Sequence, residues 1–162
     1  MLTILKEIEE NLRTTTDDAF RQVEGVPAED VNHWKPSLGL EDINTFYALL
    51  THLISSGEWW ILATAAGGPS NRHRASEFVA TGDVSDLRKR ADQWLDDVHN
   101  YFETLTEDDL SKQVKYLLSS SGKPAESTVA YCLIHSVEHA ATHLGHLHIE
   151  RQIWNAERGN RA

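Results

Sequence analysis

The chain has 162 residues, and its 25 acidic and 15 basic side chains give a formal net charge of −10. This charge opposes binding to nucleic-acid phosphates or to an anionic membrane surface. The single cysteine, Cys132, excludes an internal disulfide and is typical of a reducing compartment. The length suits one domain over residues 1–162, and the absence of a signal-peptide pattern or a membrane-length apolar run leads us to expect a cytoplasmic protein.

Four long stretches repeat apolar residues at helical spacing, and no stretch alternates over the length of a strand. The first helix is predicted for residues 2–23, with Gly25 and Pro27 ending it. Residues 28–33 are expected to form a short helical turn in the crossing that follows. The second helix is predicted for residues 40–65.

The third predicted helix is capped by Ser85 or Asp83 and ends near Thr104. Residues 106–121 have helical character between loop-like flanks, so we expect a short helix inside a long connection. The fourth helix is predicted for residues 129–159. The sequence therefore predicts an all-α protein, a four-helix bundle with long crossover connections.

Histidines form a line on the fourth predicted helix: His135, His139, His143 and His146 fall within an arc of about 80°. A solvated helical face normally carries Lys, Glu, Gln and Arg, and a core face carries aliphatic residues, so this line favours metal binding. The spacing of His139 and His143 lets two imidazoles share one ion. Periodicity alone does not identify the third ligand, and His135 and His146 have an alternative role as hydrogen-bonded rim residues.

Further motifs accompany this pair: the segment 139–147 reads HAATHLGHL, and THL at 51–53 is followed by EWW at 58–60. Together they resemble the DinB/YfiT-like superfamily, in which a four-helix bundle holds a divalent metal through one His of the second helix and two of the last. The resemblance implies the ligands His52, His139 and His143. Gly145 matches the glycine of the family, and His146 stands where Gln is common. Because His52 projects away from the apolar stripe of its helix, this ligand set requires the second helix to be buried on two sides.

Three neutral imidazoles and a water suit Zn²⁺ best, and Ni²⁺, Fe²⁺, Co²⁺ or Mn²⁺ are alternatives. The resemblance implies an enzyme that transfers a low-molecular-weight thiol to a small electrophilic substrate, or that hydrolyses such a substrate. In this interpretation His146 or His135 moves a proton or orients a ligand. Trp34, Tyr47 and Trp60 are the candidate pocket walls for the bound thiol or substrate.

Other motifs in the sequence point to different kinds of site. Residues 135–139 read H-x-x-E-H, a zinc-peptidase motif, but such an enzyme needs a downstream acidic ligand and a large fold, and only 23 residues follow His139. A ferritin-like di-iron site lacks its paired Glu motifs, and residues 119–123 lack the first Gly of a phosphate loop. A non-enzymatic metal-binding or ligand-sensing bundle stays open, as do a monomer and a homodimer with Trp59 or Leu53 in its contact.

Overall fold

A computed structural model describes residues 1–37, 43–118 and 121–158 of the chain. Within these residues the fold is mostly helical, with one small sheet and no helix long and apolar enough to cross a membrane. The elements in chain order are α1 (Thr3–Arg21), α2 (Ala28–His33), α3 (Phe46–Gly57), a π-helical segment (Glu58–Ala65), α4 (Arg74–Glu77), α5 (Val84–Thr104), α6 (Glu107–Leu110), β1 (Gln113–Leu117), β2 (Pro124–Thr128) and α7 (Val129–Glu157).

The long helices pack around one core. Helix α7 contacts α1, α3 and the π-helical segment, and α5 contacts α1 and α3. The largest fully buried side chains include Trp94, Phe46 and Phe102, with leucines from α1 and α7 between them. The buried apolar positions of α1, such as Leu5 and Leu12, recur at the helical spacing that the sequence predicts.

Helix α3 is buried on every side, since all twelve residues from Phe46 to Gly57 are buried. This confirms the two-sided burial that a role for His52 requires. The helix begins later than predicted because the Thr45 hydroxyl accepts a hydrogen bond from the Ala48 amide at 3.2 Å and caps it there. Residues 43–45 are therefore not helical, while the predicted start at residue 40 lies outside the described residues.

The third and fourth predicted helices correspond to α5 and α7. Asp83 caps α5 by accepting a hydrogen bond from the Ser85 amide at 2.6 Å, and the helix ends at Thr104 as predicted. Helix α7 begins at Val129 behind a Thr128 cap and extends to Glu157, whereas its predicted end near residue 159 lies outside the described residues.

The all-α prediction is wrong in the connection before α7. The short helix expected there is present as α6, but β1 follows it and pairs with β2 in an antiparallel hairpin, with Tyr116 opposite Ala125. The five residues of β1 alternate in burial, which is a strand pattern, but a run of this length in the sequence does not distinguish a strand from part of a helix. The hairpin matters for the site because it carries Tyr116 to the π-helical segment.

Candidate metal centre

Three histidines from two helices meet beside the core. His52 of α3 and His139 and His143 of α7 each offer a ring nitrogen, and these nitrogens all lie within 4.8 Å of one another. Ring centroids are 5.0 Å apart for His52 and His139, 4.7 Å for His52 and His143, and 4.5 Å for the α7 pair. The structure thus brings together the three residues that the resemblance implied.

The three residues fit a divalent cation. Tetrahedral zinc with nitrogens about 2.0–2.1 Å away needs nitrogens about 3.4 Å apart, so modest rotations of the imidazoles would close the set. The Nδ1 atom of His143 is buried and has no hydrogen-bond partner among the described residues, which is costly for a polar atom unless a ligand satisfies it. The His139 Nε2 atom has only a long contact, 3.5 Å, to the Ser56 hydroxyl.

Glu77 fixes the orientation of His52. The Nδ1 atom of His52 donates to the Glu77 carboxylate at 2.5 Å, so Nε2 is the nitrogen left for a metal. Arg72 holds the same carboxylate through Nε at 2.6 Å and Nη2 at 3.0 Å. Burial alone would raise the pKa of Glu77, but the hydrogen bonds from His52 and Arg72 lower it below its usual value.

His139 and His143 of α7 stay neutral in ordinary buffers. Burial is the main cause that lowers the pKa of His139 to about 4 and that of His143 to about 3, and the neighbouring imidazoles lower both further. A metal binds the unprotonated ring, so these residues require no proton loss near pH 7 in order to bind one.

A family model described as the DinB superfamily matches residues 11–147. The chain belongs to the DinB superfamily. Its fold is similar to the crystal structure of a conserved protein from Enterococcus faecalis, with a TM-score of 0.72 and 13% sequence identity over 94% of this chain and 98% of that one. No curated protein matches the chain. At this identity the structural likeness shows the fold alone.

His135 and His146 lie on either side of the His139–His143 pair along α7. The ring of His135 is 6.0 Å from that of His139, and the ring of His146 is 5.3 Å from that of His143. His135 is half-buried, stacks on Tyr131 at 5.5 Å and contacts the Glu138 carboxylate at 3.2 Å. Both residues are near enough to serve a bound ligand, and their proton-transfer roles stay predictions.

Of the three predicted pocket walls, only Trp60 lies against the line of histidines in the structure as described. Its ring is 4.6 Å from that of His135 and 5.0 Å from that of Tyr116 in the hairpin. Trp34 stacks on Phe46, which precedes His52 by six residues and so lies about 9 Å from it along the axis of α3. The Tyr47 hydroxyl lies next to Gly82, just before α5. A wall role for Trp34 and Tyr47 therefore stays a prediction without a contact behind it.

Sequence reasoning missed Glu77, Arg72, Phe78 and Tyr116. The first three lie in the segment between the π-helical segment and α5, which reads as a broken connection and carries no motif. Phe78 packs against His52 with ring centroids 4.6 Å apart. A lone acid 25 residues after a histidine has no local signature, because the contact is formed only when the segment folds back on α3.

A cavity of about 600 Å³ is lined by Glu77 but by none of the three histidines. Its charged lining includes the pairs Arg72–Glu77 and Arg90–Glu58, and Trp94 forms part of its wall. Glu77 is therefore shared, since it lines the cavity and also accepts the hydrogen bond from His52 of the candidate metal centre.

Proposed function

We propose that this DinB-superfamily protein is a divalent-metal-dependent enzyme that transfers a low-molecular-weight thiol to a small electrophile or hydrolyses such a substrate. The observation that carries the proposal is the convergence of three ring nitrogens within 4.8 Å, one of them on an imidazole oriented by a buried carboxylate. When bound, a divalent cation lowers the pKa of a water or thiol and so supplies a nucleophile near neutral pH.

The donor set favours Zn²⁺. Three neutral imidazoles leave one tetrahedral position open, which is the arrangement of catalytic rather than structural zinc sites. Ni²⁺, Fe²⁺, Co²⁺ and Mn²⁺ accept the same donors, so availability in the cell decides among them. We propose that α1, α3 with its π-helical segment, α5 and α7 are the four helices of the DinB bundle that holds the ion.

The remaining roles belong to side chains around the trio. Glu77 keeps the proton of His52 on Nδ1 and thereby directs Nε2 to the ion. In this proposal His135, which contacts Tyr131 and Glu138, accepts a proton from the bound nucleophile, and His146 is the alternative acceptor on the other side of the His139–His143 pair. Trp60 contributes an apolar wall that restricts water next to His135.

A second candidate is a non-enzymatic metal-binding or ligand-sensing module. The lining of the 600 Å³ cavity favours it, because that lining includes Glu77 but none of the three histidines. In this alternative the ion organises the fold around His52, and the cavity receives the ligand. A small molecule is the partner in both candidates, consistent with a net charge of −10 that opposes nucleic acid.

Elemental analysis of untagged protein tests the metal site. We expect stoichiometric metal in the wild type, its loss in His139→Ala, and its retention in His99→Ala, a matched control on α5 whose exposed ring pairs with Glu9. Equal metal in the wild type and in His139→Ala would remove His139 from the site. Incubating the metal-loaded protein with a panel of thiols and a chloro-dinitro arene then separates the candidates, because neither thiol-dependent turnover nor hydrolysis is expected of a module.

A further inference from the structure

Arg74 is an exposed cation at the edge of the three-histidine site. It is the first residue of α4, and its Cζ atom lies over the Phe78 ring, 4.9 Å from the centroid. The Phe78 ring in turn packs against the His52 ring, with centroids 4.6 Å apart. A single aromatic ring therefore separates this guanidinium from one of the three histidines.

Arg74 differs from the other arginines that the structure describes. Six of them pair with a carboxylate: Arg13, Arg21, Arg72, Arg88, Arg90 and Arg158. Arg151 donates to the backbone carbonyls of Gln22 and Glu24. Over residues 1–37, 43–118 and 121–158, Arg74 is the one arginine whose side chain has neither an ion pair nor a hydrogen bond to the protein. Within the described part of this acidic chain, its guanidinium beside the site thus has no carboxylate partner.

Arg74 also acts electrostatically on the site. Its positive charge contributes to the lowered pKa of both His139 and His143. Arg72 likewise contributes to the lowered pKa of His139, but its guanidinium is paired with the Glu77 carboxylate. Among the described residues, Arg74 is therefore a cation near the three histidines whose guanidinium has no carboxylate partner.

We propose that Arg74 binds an anionic group, a carboxylate, sulfonate or phosphate, of the small molecule that the three-histidine site holds. A guanidinium that lies over an aromatic ring uses its face, so the N–H donors at its edge stay available. Those donors form a planar fork that matches two oxygens of an anion. The inference rests on the proposed function, since it names the charge class of the substrate for that site.

Cobalt-loaded protein and two probes of equal length test the inference. The probes are 3-mercaptopropionate and 3-mercaptopropanamide, which share the metal-binding thiol and differ in the charge of the tail. Thiolate-to-cobalt absorption gives the Kd of each. We expect the wild type to prefer the charged probe on the order of tenfold, the usual effect of one charge-assisted hydrogen bond. Arg74→Gln should lower the ratio of the two Kd values to about one and leave the Kd of the amide probe unchanged.

Two further variants separate charge from structure. Arg74→Lys keeps the charge and should retain part of the preference, whereas Arg21→Gln, an exposed arginine of α1, should retain all of it. Added salt should reduce the preference of the wild type, because the contact is exposed.

The possible failures are distinguishable from one another. A wild type that binds cobalt but shows no preference, or an Arg74→Gln variant that keeps the preference, overturns the role of Arg74 and leaves the metal site standing. Loss of cobalt from Arg74→Gln also overturns it, since the arginine would then be structural. A wild type without bound cobalt overturns this inference together with the proposed function.

Discussion

Replacing Glu77 by Gln should weaken metal binding without abolishing it. The side chain keeps its size, but the carboxylate that accepts the proton of His52 Nδ1 becomes an amide that offers one oxygen. His52 then has a weaker partner with which to fix its tautomer and ring orientation. Loss of such a supporting partner typically lowers metal affinity ten- to hundredfold, or about 1.4–2.7 kcal/mol.

The same change also affects folding, and the two effects have to be separated. Glu77 is 4% exposed and Arg72 donates two hydrogen bonds to it, so Gln leaves a half-buried guanidinium with a weaker partner. Breaking a buried ion pair costs about 3–5 kcal/mol, and we expect the lower end because Arg72 reaches solvent. Urea unfolding of the metal-free protein measures this part, and metal affinity is then compared at a temperature where both proteins are folded.

Glu58→Gln is the matched control. Glu58 pairs with Arg90 at 2.6 Å and lines the same cavity, as Glu77 does with Arg72, but it has no hydrogen bond or ion pair with a described histidine. Competition with a chromogenic chelator at pH 7 should show weakened binding for Glu77→Gln and wild-type binding for Glu58→Gln. Wild-type affinity in folded Glu77→Gln, or equal weakening in both variants, would refute the reasoning.

Two predictions concern the stability of the metal-free fold. Gly57→Ala places a Cβ on the indole of Trp94, 2.8 Å from Cε2, where the ring is 2% exposed; overpacking should cost about 1–3 kcal/mol. Gly145→Ala, whose Cβ meets nothing within 4 Å, should stabilise α7 by up to about 1 kcal/mol. Urea unfolding in which Gly57→Ala and Gly145→Ala shift the stability in the same direction would contradict the packing described at these two glycines. Burial raises the pKa of Glu150 from 4.5 to about 8, so the folded protein holds a proton that the unfolded chain releases above pH 4.5, and stability falls as the pH rises towards 8. Glu150→Gln removes that loss. Its free energy of unfolding should exceed that of the wild type by a margin that grows by about 2 kcal/mol between pH 6 and 8 and vanishes below pH 4.5. A difference in urea unfolding that does not depend on pH would contradict this prediction.

The parts of the fold that depend on local pattern were predictable. The bounds of α5 follow from the Asp83 cap and from the helical spacing of the apolar residues after it, and α7 begins at Val129 as its pattern indicates. His139 and His143 lie together because residues four apart on a helix share a face. This half of the candidate site follows from one helix alone.

The parts that depend on contacts between distant segments were not predictable in the same way. Each strand of the hairpin has five residues, and what stabilises it is pairing with the other strand rather than its own pattern. The apolar stripe of the second helix includes Ile43, so the pattern extends the helix past Thr45, and only the cap ends it. Glu77 acts through a contact with His52 that exists only in the folded chain.

The position of His52 depends both on the pattern of its own helix and on contacts with distant segments. A helix buried on one face would expose a histidine lying opposite its apolar stripe, and water would then satisfy both ring nitrogens. Because α3 is buried all round, each nitrogen of His52 must instead find a partner within the protein. Glu77 supplies one partner, and the opposite nitrogen is left facing His139 and His143. The burial of α3 therefore directs His52 towards the other two histidines. Because that burial depends on contacts with other helices, only a resemblance that spans both helices could predict the third ligand.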